Sequence, residues 1–252
     1  MNKYKLLRYN NLSFFFIILL SKTSSAAHYQ YEACGPINCG SGPNISFPFY
    51  IPGRQESYCG YPGFALNCSL HGFPILQLNE NEYFVEQIFN QNRSFHVFDA
   101  AVLGSDSTTC FPGLENITLP LARFNYVSTT GRVYLFSGCR RPWPERLVRY
   151  NVSNCDNWDL AIYEGDENLG DAIEICERDV VAPVDEGRNG ISNVWEVLRR
   201  GFVLNWTASD CNVCEDSGGH CGFNASNYHF RCFCPDRPHS RSCKPDQKLM
   251  MC

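Results

Sequence analysis

The chain has 252 residues, including 15 cysteines, and its formal net charge at pH 7 is −5. A cytosolic protein with so many thiols would need a metal to use them, so the composition predicts a secreted protein that pairs its cysteines as disulfides. The acidic balance argues against nucleic acid as a partner, and it is also unfavourable for an anionic polymer.

The N-terminus has the features of an export signal. Lys3, Lys5 and Arg8 precede an apolar run over 12–20, and small residues end the segment at Ala27. This pattern predicts a signal peptide over residues 1–27. Its removal takes away four positive charges and no negative ones, so the net charge moves from −5 to −9. No later window offers about 18 continuous apolar residues, so no membrane span is predicted in this chain.

Glycosylation acceptors support the same extracellular compartment. A glycan is bulky and polar, so each acceptor is expected to face solvent. Beyond the predicted signal peptide, the sequence contains seven acceptors of the Asn-x-Ser/Thr type: Asn44, Asn67, Asn92, Asn116, Asn151, Asn205 and Asn224.

The first stretch of the mature chain, from Cys34 to Cys68, is rich in turn-forming residues. It holds four cysteines and six glycines, which predicts short strands joined by tight turns, with disulfides replacing part of the core. Residues 45–50 are predicted to form a strand at a sheet edge because they include Pro48. A bridge between Cys59 and Cys68 is expected to close a hairpin-like loop.

The next stretch predicts a β-meander. Leu76 and Leu78 alternate with polar neighbours, and residues 83–85 and 95–98 are rich in aromatic and branched side chains, which favours strands. The turn between the last two strands is expected at residues 90–93.

A hairpin is predicted in the middle of the chain. Residues 124–128 and 132–136 are rich in strand-forming side chains and are separated by Thr129-Thr130-Gly131. An arginine-rich loop follows this hairpin. Two further short strands are predicted, over 160–163 and 179–183.

One short helix is predicted near residues 192–200. Its apolar residues share one face, Asn193 or Ser192 can cap its start, and Gly201 ends it. Apolar residues alternate over 202–206, which predicts another strand.

The composition changes again beyond this strand. Cys211-x-x-Cys214, Cys221 and Cys232-x-Cys234 fall within about two dozen residues. This spacing predicts a dense cysteine knot.

Two of these regions resemble known extracellular modules. The two Cys-Gly pairs and Phe47-Pro48-Phe49 of the first stretch resemble the galacturonan-binding domain of plant wall-associated receptor kinases, most closely the version in their leaf-rust-resistance-like relatives. Residues 217–222 and 230–234 resemble the cysteine-rich C-terminal module of the same receptors.

The predicted fold is mainly β, small and disulfide-rich, with two cysteine-rich modules of short strands and hairpins and one short helix. The first module is expected over 28–105 and the second, of the wall-associated-kinase C-terminal type, over 106–236. A basic tail over 237–252 completes the chain. In receptor-type relatives a membrane span and a kinase domain would follow, whereas this sequence ends at Cys252.

Structural disulfides are the expected use of the cysteines, and their pairing is left open. The rival interpretation is a zinc site on Cys211-x-x-Cys214 together with His220, Cys221 or the Cys232-x-Cys234 pair. Cys252 is expected to remain unpaired within the chain. The fourteen cysteines predicted to form bridges are Cys34, Cys39, Cys59, Cys68, Cys110, Cys139, Cys155, Cys176, Cys211, Cys214, Cys221, Cys232, Cys234 and Cys243.

The resemblance implies non-catalytic binding of cell-wall polysaccharide, namely pectin or oligogalacturonide, by a secreted receptor ectodomain. Full-length relatives would hold this ectodomain at the outer face of the plasma membrane. No kinase or hydrolase motif is found, so the chain itself is predicted not to be an enzyme. Two alternatives stay open: a fragment of a transmembrane Ser/Thr receptor kinase, or an ectodomain that binds a protein or peptide, as a decoy or as a co-receptor for another receptor ectodomain.

Recognition of a uronate polymer needs aromatic faces for the sugar rings and cations or calcium for the carboxylates. No metal or cofactor is predicted apart from calcium held through pectate. In the first module, Arg54 and Arg93 are the only arginines, and Tyr50 and Phe64 are further aromatics in turns. The residues predicted to bind the ligand are Arg140, Arg141, Arg146 and Arg149 around Trp143, together with Tyr58 and Tyr61. The alternatives are a solvated basic loop for the arginines and core packing for the aromatics.

Overall fold

The computed structural model of the protein describes residues 28–102, 111, 113–152, 155–185, 193–224, 226–227 and 229–243. The predicted signal peptide, Cys110, Ser192 and Cys252 lie outside the described residues, as does most of the basic tail. Within the described ranges, no helix is both long and apolar enough to cross a membrane.

A six-stranded antiparallel sheet dominates the fold, with the strand order β1-β2-β3-β4-β9-β5. In β9 buried residues alternate with more exposed ones, as in a strand that packs one face on the core. Neighbouring residues are both buried in β2, at Ile75 and Leu76, and in β3, at Phe84 and Val85. The strands are β1 (Asn67–Cys68), β2 (Pro74–Leu78), β3 (Asn81–Phe89), β4 (Ser94–Asp99), β5 (Phe124–Tyr126) and β9 (Phe202–Trp206).

Two three-stranded sheets complete the β structure of the described residues. The middle sheet has the order β7-β6-β8, and the third has the order β10-β11-β12. Their strands are β6 (Thr130–Ser137), β7 (Leu160–Tyr163), β8 (Arg178–Asp185), β10 (His220–Phe223), β11 (Phe230–Phe233) and β12 (Pro238–His239). The mainly β, disulfide-rich fold class is therefore confirmed.

The helices are short and lie between the strands. They are α1 (Tyr29–Ala33), α2 (Glu145–Val148), α3 (Leu169–Ile175), α4 (Val194–Arg199) and α5 (Asn212–Asp216), with 3₁₀ turns at Ser57–Cys59, Asn90–Asn92 and Ala100–Val102. The α4 helix confirms the predicted helix. The side chain of Asn193 accepts a hydrogen bond from the backbone N–H of Trp195, which caps its start, and Gly201 follows with φ +67°.

The predicted β-meander is confirmed by the pairing of β2, β3 and β4. Leu76 lies opposite Tyr83, and Phe84 lies opposite Phe98. The connection between β3 and β4 is the 3₁₀ turn at Asn90–Asn92, at the predicted position. The strands predicted over 160–163, 179–183 and 202–206 are also present, as β7, β8 and β9.

The predicted hairpin of residues 124–136 is wrong, because its two strands belong to different sheets. Phe124 of β5 pairs with Trp206 of β9, and its ring packs 5.0 Å from that of Phe64 in the first core. By contrast, Val133 of β6 pairs with β7 and β8 and is buried in the core of the middle sheet. A turn does form, since the N–H of Thr130 donates to the carbonyl of Val127.

The predicted strand at residues 45–50 is also wrong. Only isolated bridges occur there, from Ile45 to Ile37 and from Tyr50 to Ala65. The segment instead makes a turn that buries Phe47 and Phe49. These rings enter two separate clusters, because Phe49 packs in the core of the large sheet and Phe47 packs on the C-terminal knot.

The disulfides confirm structural pairing and correct one expectation. Cys59 pairs with Cys34 and Cys68 pairs with Cys39, so no bridge joins Cys59 to Cys68. Cys155 is also disulfide-bonded. The remaining pairs of the described residues are Cys139–Cys176, Cys211–Cys221, Cys214–Cys232 and Cys234–Cys243, which use the predicted zinc-binding cysteines as bridges.

Aromatic rings hold the core of the large sheet together. Phe49 lies 5.3 Å from Phe95 and 5.2 Å from Trp206, measured between ring centroids. Phe95 lies on β4 and Trp206 on β9, so the same cluster joins strands that are far apart in the sequence. The large sheet therefore crosses the boundary predicted at residues 105 and 106.

This crossing gives a test of the folding unit. A fragment of residues 28–105 lacks β5 and β9, which would leave β4 as an open edge and expose the buried Phe95 and Val97. We expect the fragment to show no cooperative thermal unfolding by circular dichroism, whereas residues 28–243 unfold cooperatively. A sharp transition in the oxidised fragment would contradict this expectation.

Candidate functional site

A cleft with a volume of about 470 Å³ lies on the first module, beside the end of α1. Its lining comes from the turn that follows the buried Phe49 and from the 3₁₀ turn Ser57–Cys59. Both backbone and side-chain groups are available to a ligand there. The lining residues are Ala33, Tyr50, Pro52, Gly53, Arg54, Gln55, Glu56 and Ser57.

Tyr50 is held in the cleft by its backbone and by a glycine. Its carbonyl accepts a hydrogen bond of 2.9 Å from the N–H of Leu66, next to the bridge with Ala65. Its half-buried ring lies directly over Gly60, where an added Cβ would come within 2.1 Å of the ring carbon Cδ1. Because only a glycine leaves room, the ring takes a fixed position.

The backbone of the cleft wall is fixed by a buried amide. The side chain of Gln55 accepts from the N–H of Ile51 at 3.3 Å and donates to the carbonyl of Gly35 at 2.9 Å. Gln55 is 8% exposed. It therefore ties the turn 51–55 to the residue that follows Cys34, and it holds its neighbours Arg54 and Glu56 at the surface.

Arg54 is exposed and keeps most of its hydrogen-bonding capacity. Its Nη1 donates to the carbonyl of Asn38 at 3.1 Å, and its other guanidinium N–H groups have no acceptor among the residues that the structure describes. Among the described residues, no carboxylate oxygen lies within 4.0 Å of its guanidinium nitrogens. Glu56 is also exposed, and within the same ranges it makes no ion pair. Burial first, and then the charge of Glu56, raises the pKa of Tyr58.

The cleft thus offers an aromatic face, an unpaired guanidinium and an unpaired carboxylate. An arginine fork binds a carboxylate through two parallel hydrogen bonds, and a tyrosine offers both ring area and a hydroxyl. The chemistry of this group of residues suits an acidic sugar. Tyr50 and Arg54 were noted in the sequence but not placed in the predicted site. The sequence signal that could have found them is the turn Pro52-Gly53-Arg54, because Pro and Gly mark a surface turn and a charged residue in such a turn is exposed.

The predicted arginine loop lies elsewhere, against β7 and α3, and its side chains are already engaged. Arg140 donates to the carbonyl of Glu174 at 2.8 Å. Arg141 lies 3.5 Å from Asp159, and its guanidinium lies 4.4 Å from the ring centroid of Trp143. Arg141 thus packs on the tryptophan, whereas Arg140 is bonded to the backbone of α3.

The second half of the loop is neutralised by carboxylates. Arg146 pairs with Asp171 on α3, and this hydrogen bond raises the pKa of Arg146 and lowers that of Asp171. Arg149 stacks on Tyr150 and lies 3.9 Å from Glu167. Three of the four arginines of the loop, Arg141, Arg146 and Arg149, are therefore held in exposed ion pairs, whereas Arg140 is bonded to a backbone carbonyl. Its ligand-binding role stays a prediction.

The two predicted tyrosines pack on the knot formed by residues 211–243. Tyr58 lies 5.6 Å from Phe233, and Tyr61 lies 5.3 Å from Phe223, both with their rings nearly perpendicular. Tyr61 also contacts Phe64 in the core of the large sheet. Both positions are half-buried. These rings join the first module to the knot, and their role in ligand binding also stays a prediction.

Two family models match the chain. The wall-associated receptor kinase galacturonan-binding model matches residues 34–99, and the wall-associated receptor kinase C-terminal model matches residues 153–237. The whole cleft, apart from Ala33, lies inside the first match. The resemblance stated from the sequence is therefore confirmed.

Similar proteins come from Arabidopsis thaliana. The LEAF RUST 10 disease-resistance locus receptor-like protein kinase-like 1.2 is 34% identical over 244 residues, which cover 92% of this chain and 36% of that protein. The corresponding kinase-like 2.1 protein is 26% identical, with coverages of 93% and 39%. The putative RING-H2 finger protein ATL21A is 21% identical, with coverages of 87% and 59%. The chain thus spans well under half of these kinases, and no solved structure matches it.

The close approach of Tyr50 to Gly60 generates a prediction. In Gly60→Ala, the new Cβ would overlap the Tyr50 ring, so we expect a loss of about 1–3 kcal/mol of unfolding free energy from overpacking. Chemical denaturation measures the loss, and Gly113→Ala is the control because nothing lies within 4 Å of its added Cβ. Equal stability of the two variants would show that the ring moves freely.

Proposed function

The chain carries the galacturonan-binding domain and the C-terminal domain of wall-associated receptor kinases, and from this premise we propose that it binds cell-wall pectin without catalysis, as the ectodomain part of a receptor-like kinase. The observation that carries the proposal is the cleft of Tyr50 and Arg54. This cleft lies within the residues that match the galacturonan-binding model, and its guanidinium has no carboxylate partner among the described residues.

A galacturonate residue matches both groups in the cleft. Its carboxylate would take the free side of the Arg54 fork, in charge-assisted hydrogen bonds that are stronger than neutral ones. Its ring would lie against Tyr50, whose position over Gly60 is fixed before the ligand arrives. A site that is ordered in advance loses less side-chain entropy when the ligand binds.

The acidic charge of the whole protein makes a local cation necessary. With a net charge of −9 for the chain without residues 1–27, long-range electrostatics oppose the approach of a polyanion. At about 0.15 M ionic strength, screening limits this repulsion to roughly 8 Å. A contact between Arg54 and one uronate carboxylate is short enough to escape that screening. Calcium held between acidic groups is the second way to overcome the repulsion.

The arginine loop supports the proposal less well than the cleft does. Its cations already lie beside Asp159, Asp171 and Glu167. Exposed ion pairs are weak, about 0–1 kcal/mol, so they can open for a ligand. However, each carboxylate that is released would remain nearby and repel an incoming uronate. An unpaired cation carries no such cost.

We place this function outside the cell, in the wall, because the matched models are receptor ectodomain modules. For the longer relatives the printed name is protein kinase. Both matched regions of this chain correspond to ectodomain modules. We therefore propose a binding role for the chain, and kinase activity only for a longer protein of which this chain would be a part.

Substitution of Arg54 tests the site. In Arg54→Gln, the charge-assisted hydrogen bonds are lost, each worth about 1.5–3 kcal/mol, so we expect the Kd for oligogalacturonides to rise about 10- to 100-fold. Isothermal titration calorimetry on the oxidised, secreted protein measures this, with and without a calcium chelator. Arg132→Gln is the control, since Arg132 is an exposed arginine on β6 of the middle sheet, where it pairs with Glu164 rather than lining the cleft.

Three results would count against the site or the function. Unchanged affinity in Arg54→Gln with reduced affinity in Arg141→Gln would move the binding site to the arginine loop. Binding that the chelator abolishes in every variant would assign recognition to calcium bridges. Absence of binding in the unmodified protein would remove the pectin proposal and favour a protein or peptide ligand.

A further inference from the structure

We propose that the cleft selects a uronate segment in which one free carboxylate is followed by an uncharged residue, and that Glu56 sets this selectivity. An uncharged residue here means a methyl-esterified uronate or a neutral sugar. The inference rests on the proposed function, since it concerns the same cleft and the same polymer. It adds the pattern of charge that the cleft accepts.

The starting observation is that two opposite charges line one cleft without pairing. Arg54 and Glu56 are two residues apart and both are exposed, yet within the described residues neither makes an ion pair. Elsewhere such charges do meet: Arg200 lies 2.6 Å from Glu196, and Arg132 lies 2.7 Å from Glu164. The two charges of the cleft are therefore free to act on a ligand separately.

The backbone keeps the two side chains apart. Gln55, which lies between them, is buried and hydrogen-bonded at both ends of its amide. Arg54 is tied to the carbonyl of Asn38, and Glu56 starts the 3₁₀ turn Ser57–Cys59 without a capping hydrogen bond from its side chain. The guanidinium is thus bonded to the backbone of Asn38, and the carboxylate of Glu56 has no ion-pair partner among the described residues.

These two charges act differently on neighbouring sugar residues. A carboxylate beside Arg54 is attracted, whereas a second carboxylate beside Glu56 is repelled by a like charge. An ionised Glu56 can only accept hydrogen bonds, and sugar hydroxyls donate them. A methyl ester carries no charge, so it removes the repulsion and leaves the hydroxyl contacts in place.

No second cation in the cleft offsets the carboxylate. The other lining residues are neutral: Ala33, Tyr50, Pro52, Gly53, Gln55 and Ser57. At about 470 Å³, the cleft is in the usual size range for small-molecule sites, roughly 300–1,000 Å³, so it takes a short segment rather than a long polymer face. Within such a segment, one cation beside one anion favours a single negative charge.

Calcium gives the opposite selectivity, which makes the inference testable. A calcium ion between Glu56 and a second uronate would turn repulsion into attraction, because carboxylates are the ligands that calcium prefers. In that case a fully de-esterified segment would bind best, and Glu56 would be essential for it.

The experiment compares three oligogalacturonides of equal length, one fully de-esterified, one partly methyl-esterified and one fully methyl-esterified. Binding to the oxidised, secreted protein is measured by calorimetry with a calcium chelator and again with calcium. We expect the partly esterified oligomer to bind about 3- to 10-fold more tightly than the de-esterified one, which is the scale of one screened charge repulsion at a protein surface. The fully esterified oligomer should bind most weakly, because it offers Arg54 no carboxylate.

Glu56→Gln should abolish the preference by tightening binding of the de-esterified oligomer. The substitution removes a charge without removing a side-chain contact, since the Glu56 side chain makes no hydrogen bond or ion pair with the described residues and its backbone carbonyl, which accepts from the N–H of Cys59, is unchanged. Glu80→Gln, at another exposed glutamate with no ion pair among the described residues, should leave the preference intact.

Different failures separate the inference from the proposed function. Equal or tighter binding of the de-esterified oligomer to the unmodified protein, or an unchanged preference in Glu56→Gln, would overturn the inference while pectin binding stands. Calcium-dependent binding that Glu56→Gln abolishes would also overturn it. No effect of Arg54→Gln on any oligomer would rule out the cleft as the site, and with it the inference, while pectin binding stands. No binding of any oligomer would overturn the proposed function and the inference together.

Discussion

The pairing of β9 with β4 is the contact on which the rest of the structure depends. It sets Leu204 opposite Phe95 and brings Trp206 into the cluster around Phe49. Because β5 also pairs with β9, the middle sheet, from β6 to β8, is an excursion of the chain between two neighbouring strands of the large sheet. A single core therefore requires residues from both predicted modules.

The C-terminal knot, residues 211–243, supports the elements that form the cleft walls. The 3₁₀ turn Ser57–Cys59, which supplies one wall, lies against β10 of the knot: an added Cβ on Gly222 would come within 2.3 Å of the carbonyl oxygen of Tyr58. The ring of Tyr31 on α1 stacks on His220 at 4.4 Å. The two elements that border the cleft, α1 and the 3₁₀ turn Ser57–Cys59, thus both pack on the small disulfide-bonded sheet of the knot. The two family modules are joined by packing, so the binding surface of the first depends on the second.

The sequence predicted correctly those elements that are determined by interactions between residues close together in the chain. The meander of β2–β4, the α4 helix and the β9 strand follow from alternation and capping, and all are present. The prediction of a hairpin at 124–136 was wrong because the turn forms but the two strands pack in different cores. Which core each strand joins depends on contacts with Trp206 and β8, which are distant in the sequence. The disulfide partners and the position of Arg54 in the cleft could not be predicted from the sequence for the same reason. Both depend on which distant segments of the chain come into contact. Composition could find the densest arginine loop, but only the folded chain shows that its cations are paired.

The contrast between that loop and the cleft shows what determines an anion site in an acidic protein. Arg141, Arg146 and Arg149 lie beside Asp159, Asp171 and Glu167, so their charge is partly neutralised within the protein. Arg140 donates to the backbone carbonyl of Glu174. A single arginine beside Gln55 keeps its charge, because its neighbours are a backbone carbonyl and a buried amide. Our proposal therefore rests on the availability of a cation rather than on the number of cations. It adds that the nearby Glu56 limits how many charges a bound uronate segment carries.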